Sequence, residues 1–221
     1  MDILDVLRNR RSERHFDGRP LAQQHIDLLI EAFRWAPSSQ NRQPWRLILA
    51  ESAEARAGFD AALSEGNRKW APAAPAKFVV IGTAEEQPDR NGLSAWILEA
   101  GIALENMLIQ GCAMGLTVHA MAGWDEPKLL QAFRIPQPFR VAALFVAGYP
   151  GRVEDLPEDV RAKDLAPPRT MAVPTRPPRN GKPDQKRLKM LKLGSSQRIA
   201  IAFRRGPSAS TRTIQSHTPC G

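Results

Sequence analysis

Residues 10–14 read Arg10-Arg11-Ser12-Glu13-Arg14. Three guanidiniums and a hydroxyl lie within five positions. Each guanidinium is a rigid fork of donors matched to phosphate or carboxylate oxygens, and Ser12 adds a short donor beside them. On its own this is a basic, solvated helix end. Two later stretches, 36–45 and 115–124, hold the residue types to complete one binding pocket with it. The first is a polar run around Ser38, Ser39 and Asn41 that follows Pro37. The second is a glycine-ended segment through His119, Met121, Ala122 and Gly123. No common protein catalyst is visible. His15, His25, His119 and His217 have no metal-ligand spacing with another ligand residue, so no metal site is expected. There is no Gly-x-Ser-x-Gly elbow, no Walker loop and no Gly-x-Gly-x-x-Gly. No catalytic side chain is nominated; if the chain is an enzyme, a bound cofactor carries the chemistry.

The elements that must position these residues follow from periodicity. Ile3, Leu4, Val6 and Leu7 predict a helix over 2–9 that delivers the arginines at its end. A second helix is expected over 21–35, stopped by Pro37. Strands are expected over 47–50, 77–82, 116–121 and 141–148, and helices over 53–63 and 126–133, the latter capped by Asp125. The longest helix is predicted over 93–114. Ile97, Leu98, Gly101, Leu104, Leu108 and Cys112 are read as one broad apolar face, with Ile102 and Met107 widening it. This predicts a helix buried nearly all round, at a subunit interface, with Gly115 as its C-terminal cap. Helices and strands alternate with short connections, as in an α/β or α+β sandwich.

Of 221 residues, 43% are hydrophobic and 24% charged, which is globular composition. The net charge of +8 is unevenly placed. Residues 174–221 hold 11 of the 31 basic residues and one of the 23 acids, a net of +10, leaving 20 basic and 22 acidic residues, −2, on 1–173. The body therefore suggests no nucleic-acid surface; only the tail has that charge. The long helix carries Glu99, Glu105, Asn106 and Gln110, which argues against a membrane span. No signal peptide is evident, and two cysteines, Cys112 and Cys220, make no disulfide framework. A cytoplasmic location is the expectation.

The pattern Arg10-Arg11-Ser12-x-Arg14-x-Phe16, then Ala36-Pro37-Ser38-Ser39-x-Asn41-x-Gln43-Pro44-Trp45, then Gly115-Leu116-Thr117 with Gly123-Trp124, resembles the FMN-dependent nitroreductase family. The order and spacing match over about residues 1–169. The resemblance implies an α+β sandwich with a mostly antiparallel sheet, and a homodimer with two FMN molecules at its interface. It implies ping-pong transfer of electrons from NADH or NADPH through flavin N5 to nitroaromatics, quinones or related small-molecule acceptors. Arg10 and Ser12 would take the FMN phosphate, with Arg11 beside them, and Arg14 the pyrimidine edge of the ring. A cation there would stabilise the negative charge that reduction leaves near N1 and the C2 carbonyl. Pro37, Ser38, Ser39 and Asn41 would reach the flavin from the other subunit. Asn67, and more weakly Lys69, would meet its polar edge. Met121, Ala122 and Gly123 would face N5 and O4 with backbone N–H groups. Some family members have an acid where Ala122 stands.

Plainer readings stand beside these. Trp45 reads as a core aromatic opening a strand, His119 as a satisfied core histidine, and 67–69 as a solvated loop. Beyond Arg169 the family pattern is lost. Arg169 or Arg176 would have to supply the remaining phosphate charge. The Pro-rich, basic segment 174–221 is expected to be a poorly ordered, divergent tail, or the product of a shifted reading frame. Two alternatives to the nitroreductase reading stay open: a non-enzymatic protein whose basic tail contacts nucleic acid or acidic partners, and a flavoprotein with other chemistry, such as reductive dehalogenation or flavin breakdown.

Overall fold

The computed structural model describes residues 2–167. Its helices are α1 (Asp5–Asn9), α2 (Gln23–Arg34), α3 (Ala53–Ala62), α4 (Glu65–Arg68), α5 (Ala95–Ala113), α6 (Glu126–Ala132) and α7 (Glu158–Leu165). Its strands are β1 (Trp45–Leu49), β2 (Ala76–Gly82), β3 (Thr117–Met121) and β4 (Arg140–Gly148). The expected elements are present, with ends moved by a few residues. α7 and the single turn α4 have no counterpart in the sequence reading. The expectations for 174–221, for Arg169 and Arg176, and for Cys220 lie outside the described residues.

The four strands form one sheet in the order β1-β2-β4-β3, every neighbour antiparallel. Its central pair explains the continuous apolar runs. β2 is buried along its whole length, because alternate side chains serve opposite layers. Phe78 and Val80 join Phe145 and Ala147 under α2 and α5, in a core with Leu29, Phe33, Trp45 and Met107. Val79 and Ile81 join Leu144 and Val146 on the other face, against Phe59 and Leu63 of the α3 region and Leu129 of α6. The result is an α+β sandwich with helices on both sheet faces. Trp45 opens β1 as a buried aromatic, edge-on to Phe33 at 6.0 Å between ring centres.

The long helix α5 departs from the sequence reading. Its buried face is Trp96, Ala100, Ala103, Leu104, Met107, Leu108 and Gly111, with Glu99 among them. Ile97, Leu98 and Gly101 are on the other side. Leu98 is 68% exposed and Ile97 47%, and a Cβ on Gly101 would meet open space. Apolar residues all round the helix hid which stripe the sheet would take. Gly111 marks the close approach: a Cβ there would run into the Val118 side chain of β3. The helix ends as expected, with Gly115 in the left-handed region at φ 71°.

Candidate functional site

The arginine-rich segment leaves α1 at Arg10 and runs beside the chain that follows β4. Phe16 pairs with Pro150, the Asp17 N–H donates to the Tyr149 carbonyl (3.1 Å), and the Gly151 N–H donates to the His15 carbonyl (3.2 Å). Gly151 is required there, since a Cβ would stand 2.5 Å from the Phe16 backbone. The three arginines then have different surroundings. Arg10 donates to Ser12 Oγ (3.2 Å) and has a loose contact with Glu105 of α5 (3.9 Å). Arg11 donates to the carbonyls of Asp164 (3.3 Å) and Ala166 (2.7 Å), closing the C-terminal end of α7. Arg14 is held by the Asp164 carboxylate, which takes both its side chain (2.5 Å) and its backbone N–H (2.7 Å).

Arg14 also lies over the Trp70 ring, 5.7 Å from its centre, and Trp70 packs on His119 at 4.5 Å. This stack links the N-terminal segment to β3. His119 donates from Nδ1 to the Glu13 carbonyl (3.0 Å), since a carbonyl only accepts. Burial pushes its pKa down to about 4, ahead of opposing help from the Glu13 carbonyl. It is a neutral core histidine, as its apolar surroundings suggested.

The end of β3 is clamped by α4. The Gly123 carbonyl accepts from the Ser64 N–H and from Asn67 Nδ2, each at 3.1 Å. A Cβ on Gly123 would stand 2.6 Å from Ser64 Oγ and 3.2 Å from Asn67 Nδ2. The close approach that Gly123 permits among the described residues is thus to α4. Asn67 keeps its amide oxygen for another partner. Ala122 is exposed and Met121 buried. Lys69 turns to Asp159 of α7 (2.7 Å), and this ion pair raises its pKa.

Pro37, Ser38, Ser39 and Asn41 form a separate group. Gln40, Asn41 and Gln43 all have φ between 50° and 55°, a strained region for non-glycine residues. Side chains hold the loop in it. Ser38 Oγ accepts from the Gln43 N–H (2.9 Å), and Asn41 Oδ1 accepts from Gln43 Nε2 (2.9 Å). From below, the buried Glu99 of α5 accepts from the Ser39 N–H (3.0 Å) and from buried Gln87 (2.9 Å), both through Oε1. Glu99 Oε2 is buried with no partner among the described residues. The sequence reading missed Glu99 and Asp164. An acid on an apolar helix, and one beyond the last expected strand, were the only signals.

No hydrogen bond joins this loop to the arginine group among the described residues. Two clefts of the described residues lie elsewhere. One, about 370 Å³, lies between Trp96 and Arg140; the other, about 490 Å³, lies between Phe33 and Arg46. Neither is lined by Arg10, Ser12, Arg14 or Asn67.

An antiparallel sheet between two helical layers, with a polar edge built from the N-terminal segment and the end of β3, is the nitroreductase fold. A solved oxidoreductase described as containing FMN matches with a TM-score of 0.68 and 29% identity, over 77% of this chain and 88% of its own. A protein of Archaeoglobus fulgidus, provisionally named as an NADH dehydrogenase/NAD(P)H nitroreductase, is 26% identical over 71% of this chain and 90% of its own. A Stenotrophomonas maltophilia protein of the same provisional name is 29% identical over 58% and 74%. The family model described as Nitroreductase family matches residues 7–81. The chain is similar to that family in sequence, over residues 7–81 for the family model, and has its fold. Among the described residues, no helix is long and apolar enough to cross a membrane.

Proposed function

We propose that the chain is an FMN-dependent oxidoreductase that works as a homodimer. Bound FMN would supply the hydride chemistry, at N5, between NADH or NADPH and a nitroaromatic, quinone or related small acceptor in two separate half-reactions. Support comes from the likeness to that family and from the FMN named for the solved relative. The observation that carries the reading is the donor set. Arg10 and Ser12 stand together at a helix end with only a loose acidic contact. Arg14 is fixed near the clamped end of β3 through the Trp70–His119 stack.

Arg10 and Ser12 hold the phosphate, where a charged fork and a hydroxyl give strong, short bonds. Arg11 braces them, since α7 carbonyls take its donors. Arg14 presents fixed positive charge to the pyrimidine edge, favouring the reduced state without reorganisation. Asn67 meets the polar edge of the ring, with Lys69, turned to Asp159, at its margin. Backbone groups of Met121, Ala122 and Gly123 face the N5 side. Pro37, Ser38, Ser39 and Asn41 approach from the second copy, in keeping with the lack of a hydrogen bond between them and the arginines among the described residues of one chain. No side chain is assigned as catalytic. Ala122 stands where some family members carry an acid, so its side chain orders no water near N5.

A spectrum of the purified protein tests the reading directly. Flavin absorbance that bleaches on anaerobic addition of NADH or NADPH is expected. A folded dimer that stays colourless in excess FMN overturns it.

A further inference from the structure

We propose that Asp164 is a positioning residue that fixes Arg14 and moderates its charge, and so sets the reduction potential of the bound flavin. The proposal rests on the flavin reading above. Its basis is the placement of one carboxylate. Asp164 lies in the last turn of α7, its side chain 1% exposed. Its two oxygens take the Arg14 guanidinium, the Arg14 backbone N–H and His15 Nδ1, the last at 3.2 Å. It therefore holds both the backbone and the head group of the same residue. Trp70 closes a second side of the guanidinium, while the Arg14 side chain keeps 23% of its surface.

An ion pair this close and this dry is weakly screened. Seen from outside, Arg14 then acts less as a unit charge than as a dipole whose negative end is buried. Placed at the edge of the flavin where reduction leaves negative charge, it favours reduced FMN less than a lone arginine would. Anchorage of α7 does not depend on this carboxylate alone. Arg11 holds the Asp164 and Ala166 carbonyls, and Lys69 holds Asp159. Removing the charge at 164 therefore leaves the helix other attachments.

The test is the midpoint potential of the FMN-loaded protein, read against a reference dye. Asp164→Asn is expected to raise it, with reduced FMN gaining threefold to tenfold in binding over oxidised FMN; tenfold is about 30 mV for a two-electron couple. In the double variant R14Q/D164N the potential is expected to return to the wild-type value or below, because the effect runs through Arg14. An unchanged potential in D164N overturns the proposal. So does a double variant as high as D164N, which would mean that Asp164 acts on the ring by another route. If D164N fails to fold, Asp164→Ser keeps an acceptor for the Arg14 N–H and carries the same expectation. Failure of both to fold assigns Asp164 to the fold alone and overturns the proposal. Wild-type protein that takes up no FMN sinks the flavin reading itself, and is seen before any variant is compared.

Discussion

Three arginines of the same type, within five positions, do three different things. Arg11 closes a helix end, Arg14 is locked to a buried acid, and Arg10 is left beside a serine hydroxyl. Only Arg10 has the freedom to meet a phosphate with most of its donors. Arg10→Ala is expected to weaken FMN binding by about 1.5–3 kcal/mol, roughly tenfold to 150-fold, the worth of a charge-assisted bond; flavin fluorescence quenching measures it. His119 makes a second prediction. Its pKa of about 4 lies below the usual 6.5 because burial penalises the charged ring. The unfolded chain thus binds a proton between about pH 6.5 and 4 that the folded chain does not. Stability from the neutral ring is full above about pH 6.5 and is lost as pH falls towards 4, by roughly 3 kcal/mol at most. Denaturant titrations of wild type and His119→Asn should differ in pH slope across that window. Equal slopes would show that His119 titrates alike in both states.

Elements decide how the polar groups are held. α5 does two jobs at its two ends. At Gly111 it comes so close to β3 that a methyl group would strike Val118, so overpacking outweighs the gain in helix propensity from alanine. Near its start, Glu99 holds the strained loop through the Ser39 N–H. Glu99→Ala is expected to leave that N–H without its acceptor and cost about 1–3 kcal/mol. Hydrogen exchange at Ser39 should quicken, while Glu99→Gln, which keeps an acceptor oxygen, should stay near wild type. α7 plays the matching part for the arginines, with Asp164 as its contact.

At the scale of the molecule, the notable feature is what one chain leaves uncovered. Leu98, Ile97 and Ile102 along α5, with Leu93 just before it and Ile3, Leu4 and Leu7 at the N-terminus, keep large exposed areas. Apolar residues in such number on a helix and its neighbour are typical of a surface another copy covers. The arginine group and the 37–41 loop also share no hydrogen bond among the described residues of one chain, as expected if a second copy brings them to one site. Leu98→Asp is therefore expected to yield monomers in sedimentation experiments and to lose flavin together with the dimer. A variant that stays dimeric and yellow would place the interface elsewhere.

The elements themselves were legible in the sequence because each rests on local periodicity. The apolar run at Phe78–Ile81 is typical of a strand buried on both faces, and Asp125 by its side-chain acceptor and Gly115 by its backbone freedom marked helix ends. Arg10, Ser12 and Arg14 could be singled out for the same reason, since donor type and spacing are written in five adjacent positions. Three-dimensional packing alone decided the rest. It chose which stripe of a uniformly apolar α5 faces the sheet. It turned Gly123 towards Ser64 and Asn67, and brought Asp164 from 150 positions away to Arg14. Long-range contacts of this kind leave no periodic trace, because the partner of a buried charge is fixed by where the chain returns and not by its neighbours in sequence.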